Sequence, residues 1–424
     1  MKSILEGIRV LDFSIVWAGP YTARMLAEMG AEVIHIEHPR LFGHVGMVRV
    51  GSSGKAARVL GMTDIDPESV GEAPWRGVRD TYTGAFSANK RFIALDTINP
   101  EGRAILNELV RISDVLIENL TPDVARKLGI YHEQVREANP RLICCAMRGF
   151  GDGPWSNYLA YGNTLEYLSG LTSLTGYGGD REDRPMAAGV FMVDPIGAMQ
   201  GVAAIISALM YRRRTGKGLY IEHSQYEAAT GFVNEAVMDY AMNRRVRAPM
   251  GNKDRDIAFQ GCYPAKGNDQ WVVLSIRNEA DWTKVCGLIG KKDWLSDENY
   301  KVPSQLEVRR DEVDAAISAW TVKHRKEDAA RYLQNVSVPA APVNNTAEAI
   351  FYPPVRQRGL YKWIEHAYGA TAPVPAMPVH FTKTTFPENY YPAGAVGIDN
   401  HHVYEELLGF STERIKELKE KQII

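Results

Sequence analysis

LEGIRVLDFSIVWAGPYTARMLAEMGAEVIHIEHP, residues 5–39, decides the fold class. Ile8–Phe13 reads as a strand and Val16–Pro20 as a turn. Tyr21–Met29 has helical apolar spacing at Tyr21, Met25, Leu26 and Met29. Gly30 suits the left-handed position that ends a helix. Ala31–Glu37 is a second strand. Strand, helix and strand in that order predict a βαβ unit and a parallel sheet. The first turn, SIVWAGP, lacks the GxGxxG of a dinucleotide site.

The pattern repeats downstream. A helix is predicted from Asn99-Pro100 to Ile112, a strand over Asp114–Glu118, a helix from Thr121 to Gly129, and a strand over Leu142–Met147. Two long apolar helices are predicted, Pro195–Tyr211 and Glu227–Met242. Gln260–Ile276 reads as a short antiparallel part, and helical patterns follow around 280–290 and 304–333. SVPAAPVNN, residues 337–345, reads as a crossover linker. Strand and helix patterns return in the tail, at Val403–Leu408 and Thr412–Gln422. Residues 41–85 are Gly-rich and weakly periodic, as in an insertion or a loop over a site.

Composition narrows the function. The 424 residues carry 49 Lys+Arg against 51 Asp+Glu, a net charge of -2, so no global field favours nucleic acid or an anionic membrane. At 45% hydrophobic and 24% charged, the chain suits a soluble, cytoplasmic globular protein. No secretory h-region is seen at the start, and no apolar run is read as reaching the ~18–20 residues of a membrane span. The cysteines are Cys144, Cys145, Cys262 and Cys286, without a CxxC pair. They read as buried thiols, with Cys144 and Cys145 on opposite faces of a strand. HExxH, GxSxG and P-loop motifs are absent, and no metal site is expected.

Basic residues gather at the ends of predicted strands and helices: His38, Arg40, Lys90, Arg91, Arg126, Lys127 and Arg148. The carboxyl ends of an open parallel sheet form its ligand crevice. Cations there suit a phosphate-bearing anion, with solvated surface charge as the alternative. The loop from Thr175 to Pro185, TGYGGDREDRP, is dense in glycine and charge. It reads either as a solvated turn or as a carrier of a nucleophilic carboxylate.

The opening run resembles that of class III CoA-transferases, the group with formyl-CoA transferase and carnitine CoA-transferase. ANKRFIALD (88–96), IENLTPDVARKLGI (117–130), NPRLICCAMRGFGDGPW (139–155), LSGLTSLTG (168–176) and RRRTGKGLYIEHSQYEA (212–228) carry the resemblance onward. RAPMGN (247–252), VPAAPVNN (338–345) and ELLGFSTERIKEL (406–418) complete it. It implies an α/β fold with a Rossmann-like large domain (1–224), a smaller α+β domain (225–338) and a linker returning to the large domain (339–424). It also implies an interlocked dimer. Coenzyme A thioesters enter as substrates, with no permanently bound cofactor. The partners are an acyl-CoA, a carboxylic acid, and a second chain, identical or homologous; no nucleic acid and no membrane are implied.

Carried onto this chain, the resemblance puts Val16 and Ala18 beside the thioester and Trp17 toward the active site; Trp17, Trp75 and Tyr177 read either as aromatics of a substrate pocket or as ordinary aromatic core. His38 and Arg40 flank the adenine and 3′-phosphate. Lys90 and Arg91 lie near the nucleotide, Asn119 and Leu120 at the pantetheine, Lys127 and Leu128 at the nucleotide end, and Arg148 near the phosphates. The family nucleophile is an Asp in a segment like TGxxDGPP. Here the DGPP tetrad is lost, so Asp180 is the first assignment and Glu182 the alternative. Related racemases carry an Asp where this chain has Gly162. Three readings stay open: a supporting subunit of a heteromer such as succinyl-CoA:(R)-benzylsuccinate CoA-transferase, an active homodimeric transferase using Asp180, and a CoA-binding scaffold.

Overall fold

The computed structural model describes residues 3–39, 86–177, 185–365, 371–384, 386, 390–391, 394 and 396–424. Arg40, Asp180, Glu182 and the 41–85 segment lie outside them. The chain divides into two compact units. One comprises residues up to Leu171, Gly189–Asn234 and Pro353–Ile424; the other comprises Thr172–Ala188 and Glu235–Tyr352.

The first unit is built on β1 (Arg9–Asp12), β2 (Glu32–Glu37), β3 (Arg91–Ala94), β4 (Val115–Glu118), β5 (Ile143–Arg148) and β6 (Tyr220–Ser224). They form one six-stranded sheet in the order β3-β2-β1-β4-β5-β6, and every pairing is parallel. This is the doubly wound order of nucleotide-binding α/β proteins, with its switch point between β1 and β4. Strands buried on both faces need apolar residues at successive positions. Leu11, Ile34, Leu116 and Cys144 serve one face, and Val10, Val33, Ile117 and Cys145 the other. The adjacent cysteines do part to opposite faces, and burial pushes the Cys144 thiol up to about 12.

Helix α1 (Ala18–Glu28) runs between β1 and β2. It starts three residues before the expected Tyr21, which Pro20 permits because N–H groups of a first turn have no intrahelical partner. Gly30 takes the predicted left-handed conformation, φ 98°. Helices α2 (Pro100–Arg111), α3 (Pro122–Leu128) and α4 (His132–Ala138) follow, and Asn99 caps α2 by accepting from the Glu101 N–H at 2.9 Å. Beyond β5 come α5 (Gly162–Leu168), α6 (Val193–Thr215) and, after β6, α7 (Gln225–Gly231).

Helix α6 corrects the reading that no apolar run matches a membrane span, since its mean hydropathy of 1.5 passes that test. Ala198, Val202, Ile205 and Ala208 nevertheless pack into the core under the sheet, so it is a core helix. The single helix expected over Glu227–Met242 is two, α7 and α8 (Asn234–Asn243). The chain tightens between them, with Phe232 N–H bonded to Ala229 C=O and Val233 N–H to Thr230 C=O.

In the second unit, β7 (Phe259–Pro264), β8 (Trp271–Ile276) and β9 (Ala340–Pro342) form an antiparallel sheet. The first two strands answer the predicted antiparallel part. The third corrects the linker reading of 337–345, because Ala340–Pro342 pairs with β8. Proline is tolerated there because an edge strand has an N–H that need not enter the ladder. Trp282, Ile317 and Leu333 pack on this sheet as a separate core.

Candidate functional site

Asp12 ends β1 with its side chain fully buried. Its carboxylate lies 2.8 Å from Lys90 Nζ and 3.0 Å from His35 Nδ1, and His35 Nε2 lies 3.1 Å from Glu37. Burial alone would raise the Asp12 carboxyl, but Lys90 and His35 hold it well below the usual range. Burial works against a charged imidazole too, yet Asp12 and Glu37 lift His35 to about 9. Burial draws the Lys90 ammonium below its usual value even beside Asp12. The carboxylate, with two cations, remains the fixed charge of this cluster.

The turn after β1 is braced from β4. The Asn119 side chain accepts from the Ile15 N–H at 2.8 Å and donates to the Ile15 carbonyl at 2.7 Å. The next residue, Val16, has φ 67°. A β-branched residue in the left-handed region is strained by about 1–3 kcal/mol. Two bonds from one amide to the preceding residue help to hold it there.

This braced turn opens onto a cleft of about 340 Å³, within the usual range of small-molecule sites. Ile15 and Val16 form one side, and Asn119, Leu120 and Val124 another. Arg148, Tyr158, Leu159, Tyr161, Asp194 and Gln225 complete much of the wall. The cleft therefore sits at the carboxyl ends of β1, β4 and β5, where the strand order reverses. The lining mixes apolar side chains with a few polar groups, which suits a largely apolar ligand held by a small number of hydrogen bonds.

Arg148 is walled in at 3% exposure. Its Nε donates to the Leu120 carbonyl, Nη1 to Asp152 and to the Tyr220 hydroxyl, and Nη2 to Glu118 at 2.6 Å. Burial pushes the Glu118 carboxyl up to about 7, against the pull of Arg148. With its charge balanced inside the wall, Arg148 shapes the cleft more than it offers a free cation to it.

Asp194 begins α6 at 6% exposure. Burial lifts its carboxyl to about 6, and the backbone N–H groups of Ala18 and of Asp194 itself pull it back down. Gly162 opens α5 directly against it. A Cβ at Gly162 would lie 1.9 Å from Asp194 Oδ2, a separation that atoms do not adopt. Gly162→Ala is expected to overpack this corner by about 1–3 kcal/mol. A thermal melt checks it, and an unchanged Tm would mean that Asp194 swings aside freely.

Of the positions singled out from the sequence, the cleft brings together Val16, Asn119, Leu120 and Arg148. Ala18 is buried at the start of α1, where its N–H meets Asp194. Trp17 packs on Phe86, ring centroids 4.8 Å apart, and on Phe191 at 6.2 Å. No described residue accepts its buried indole N–H. Lys90 is committed to Asp12, Arg91 to Asp399 at 3.0 Å, and His38 lies 3.5 Å from Asp96. Lys127 is exposed one turn along α3 from Val124, and Leu128 packs on the core. Tyr177 is exposed in the second unit.

Sequence reasoning passed over Asp194, Gln225 and the Tyr158–Tyr161 wall. One signal was present: Asp194 is the lone acid in GVFMVDPIGAM, directly before Pro195, which marks a helix start.

The chain matches the family described as CoA-transferase family III over residues 5–400. It is 31% identical over 384 residues to the succinate–glutarate CoA-transferase of Agrobacterium fabrum (strain C58), covering 90% of each chain. To the formyl-CoA:oxalate CoA-transferase of Bradyrhizobium sp. (strain ORS 278) it is 26% identical over 440 residues, covering 99% of this chain and 96% of that one. Among solved structures, a CAIB/BAIF family protein from Brucella suis superposes with a TM-score of 0.81 at 26% identity, covering 96% of this chain and 100% of the other.

Proposed function

The chain belongs to CoA-transferase family III, and we propose that it passes CoA from succinyl-CoA to a dicarboxylic acid, with Asp180 as the nucleophile. Class III transfer between an acyl-CoA and a carboxylic acid is the activity of the family. The cleft at the β1/β4 switch point carries the finer reading, because its amide, guanidinium and apolar groups line a channel suited to a pantetheine arm. The exposure of Lys127, one turn beyond Val124, supports its assignment to the nucleotide end.

The steps balance without water. The Asp180 carboxylate attacks the thioester carbonyl and expels the CoA thiolate, leaving a succinyl–aspartyl anhydride. The thiolate then attacks the aspartyl carbonyl, forming an aspartyl-CoA thioester and releasing succinate. The acceptor carboxylate displaces the thiolate to make a second anhydride. Thiolate attack on its acyl carbonyl yields the new acyl-CoA and the free carboxylate of Asp180.

A second copy is part of this proposal. Helix α8 buries only Asp239 and leaves Val237, Met238, Tyr240 and Met242 exposed, an apolar surface that an interlocking partner would cover. One observation favours a second reading, the supporting subunit: the nucleophile segment TGYGGDREDRP lacks DGPP.

The test is to incubate the purified chain with succinyl-CoA and either glutarate or (R)-benzylsuccinate. The new acyl-CoA is then read by mass spectrometry. Transfer by this chain alone supports the first reading. Transfer only beside a homologous chain supports the second, and hydrolysis alone overturns both.

A further inference from the structure

Among the described residues, Asp194 is the one carboxylic acid that lines the cleft, and no charged side chain contributes to its shifted titration. Its neighbours on the surrounding elements are accounted for. Arg148 on β5 is closed by Glu118 and Asp152. On α1, Arg24 is paired with Glu28 at 2.6 Å. Glu166 on α5 is buried and engaged. His223 on β6 lies under the first turns of α6, its Cε1 3.4 Å from where a Gly197 Cβ would stand, and burial lowers its imidazole.

The geometry gives this carboxyl a fixed place. It is bonded to the Ala18 N–H, and Oδ2 faces Gly162, the residue whose missing side chain makes room for it. Both neighbours belong to segments that form the cleft: Ala18 follows the strained Val16 turn, and Gly162 is itself in the wall.

We propose that Asp194 is a charge gate for the carboxylic-acid substrate: protonated, it leaves the cleft without net negative charge and donates a hydrogen bond to the incoming carboxylate, and ionised, it repels that carboxylate. The gate rests on the transferase reading above. It deepens that reading by making acceptor binding, rather than chemistry, the pH-sensitive step. With the carboxyl lifted to about 6, the ionised fraction grows through the neutral range. Each pH unit above that value then weakens acceptor binding about tenfold, since one proton must be taken up.

The experiment compares the full-length chain with Asp194→Asn, which keeps an oxygen for the Ala18 N–H but cannot ionise. KM for glutarate and kcat are measured with succinyl-CoA from pH 5.5 to 8. In the parent chain KM should rise about tenfold per unit above pH 6 while kcat holds. In Asp194→Asn it should stay flat, ending 10-fold or more below the parent at pH 8. Glu118, pushed up to about 7, titrates in the same window, but a limb that it caused would survive in Asp194→Asn. The same slope in both proteins therefore overturns the gate, as does a folded variant that has lost kcat at every pH.

Should Asp194→Asn fail to fold, calorimetry of glutarate binding to the parent chain in two buffers decides. Uptake of about one proton per glutarate at pH 7.5, with tighter binding at pH 5.5, supports the gate. No uptake, or no glutarate binding at pH 5.5, overturns it. Absence of glutaryl-CoA at every pH sinks the substrate reading instead, and the calorimetry then judges the gate by itself.

Discussion

Lys90→Met should cost about 3 kcal/mol of folding stability, a fall in Tm of about 6–12 °C for a domain of this size. Lys90 Nζ lies 2.8 Å from Asp12, and both side chains are fully buried. Removing one partner of such a pair leaves the other charge without compensation, which costs roughly 3–5 kcal/mol. The lower end applies because His35, lifted to about 9, still faces Asp12 at 3.0 Å. The sign in acid follows from the depressed carboxyl. Asp12 contributes stability above the unfolded carboxyl value of ~3.9, and loses it as pH falls through its lower folded value. Without Lys90 the folded value moves up, so the midpoint of acid unfolding should move to higher pH. Combining Lys90→Met with Asp12→Asn should recover part of the loss, since no carboxylate is then buried. Chemical denaturation of the three proteins checks this, and a Lys90→Met chain as stable as the parent would remove the ion pair from the account.

Asp180→Ala should lower kcat by on the order of 10⁴-fold or more, because a covalent route loses its nucleophile. Glu182→Gln should leave the route in place. The direct readout is intact mass after succinyl-CoA followed by hydroxylamine or borohydride. The parent chain should carry the modification at Asp180, and Asp180→Ala should carry none. A modification at Glu182 would move the nucleophile two residues along. A modification found only on a homologous co-purifying chain would make this chain the supporting subunit. Loss of turnover and of the adduct together separates a missing nucleophile from a merely weakened site.

The parallel sheet was legible in residues 5–39 because the turn at Gly30 and the apolar spacing of Tyr21–Met29 are local properties. Helix capping at Asn99-Pro100 and the partition of Cys144 and Cys145 to opposite faces were legible for the same reason. Errors arose where context overrode local signals. A Pro-rich stretch became the edge strand Ala340–Pro342 because β8 offered it a partner. An apolar run that reads like a membrane span is a core helix because a sheet lies against it. The basic residues show the limit of composition most clearly. Strand-end position marked Lys90, Arg91 and Arg148 as candidates for an anion, yet each is answered by an acid of this chain.

The amino-acid sequence by itself determined the α/β class, the opening βαβ unit and the family resemblance with the CoA transfer that it implies, since these rest on local periodicity and on motifs read within short windows. Tertiary structure alone decided which charges are spent internally and which groups meet at the cleft. Asn119 braces Ile15 from 104 positions away, and Asp194 reaches the Ala18 N–H from a different helix. Such meetings depend on which strands pair and in what register. That choice is made by burial and hydrogen bonding summed over the whole sheet, so no short stretch of residues carries it.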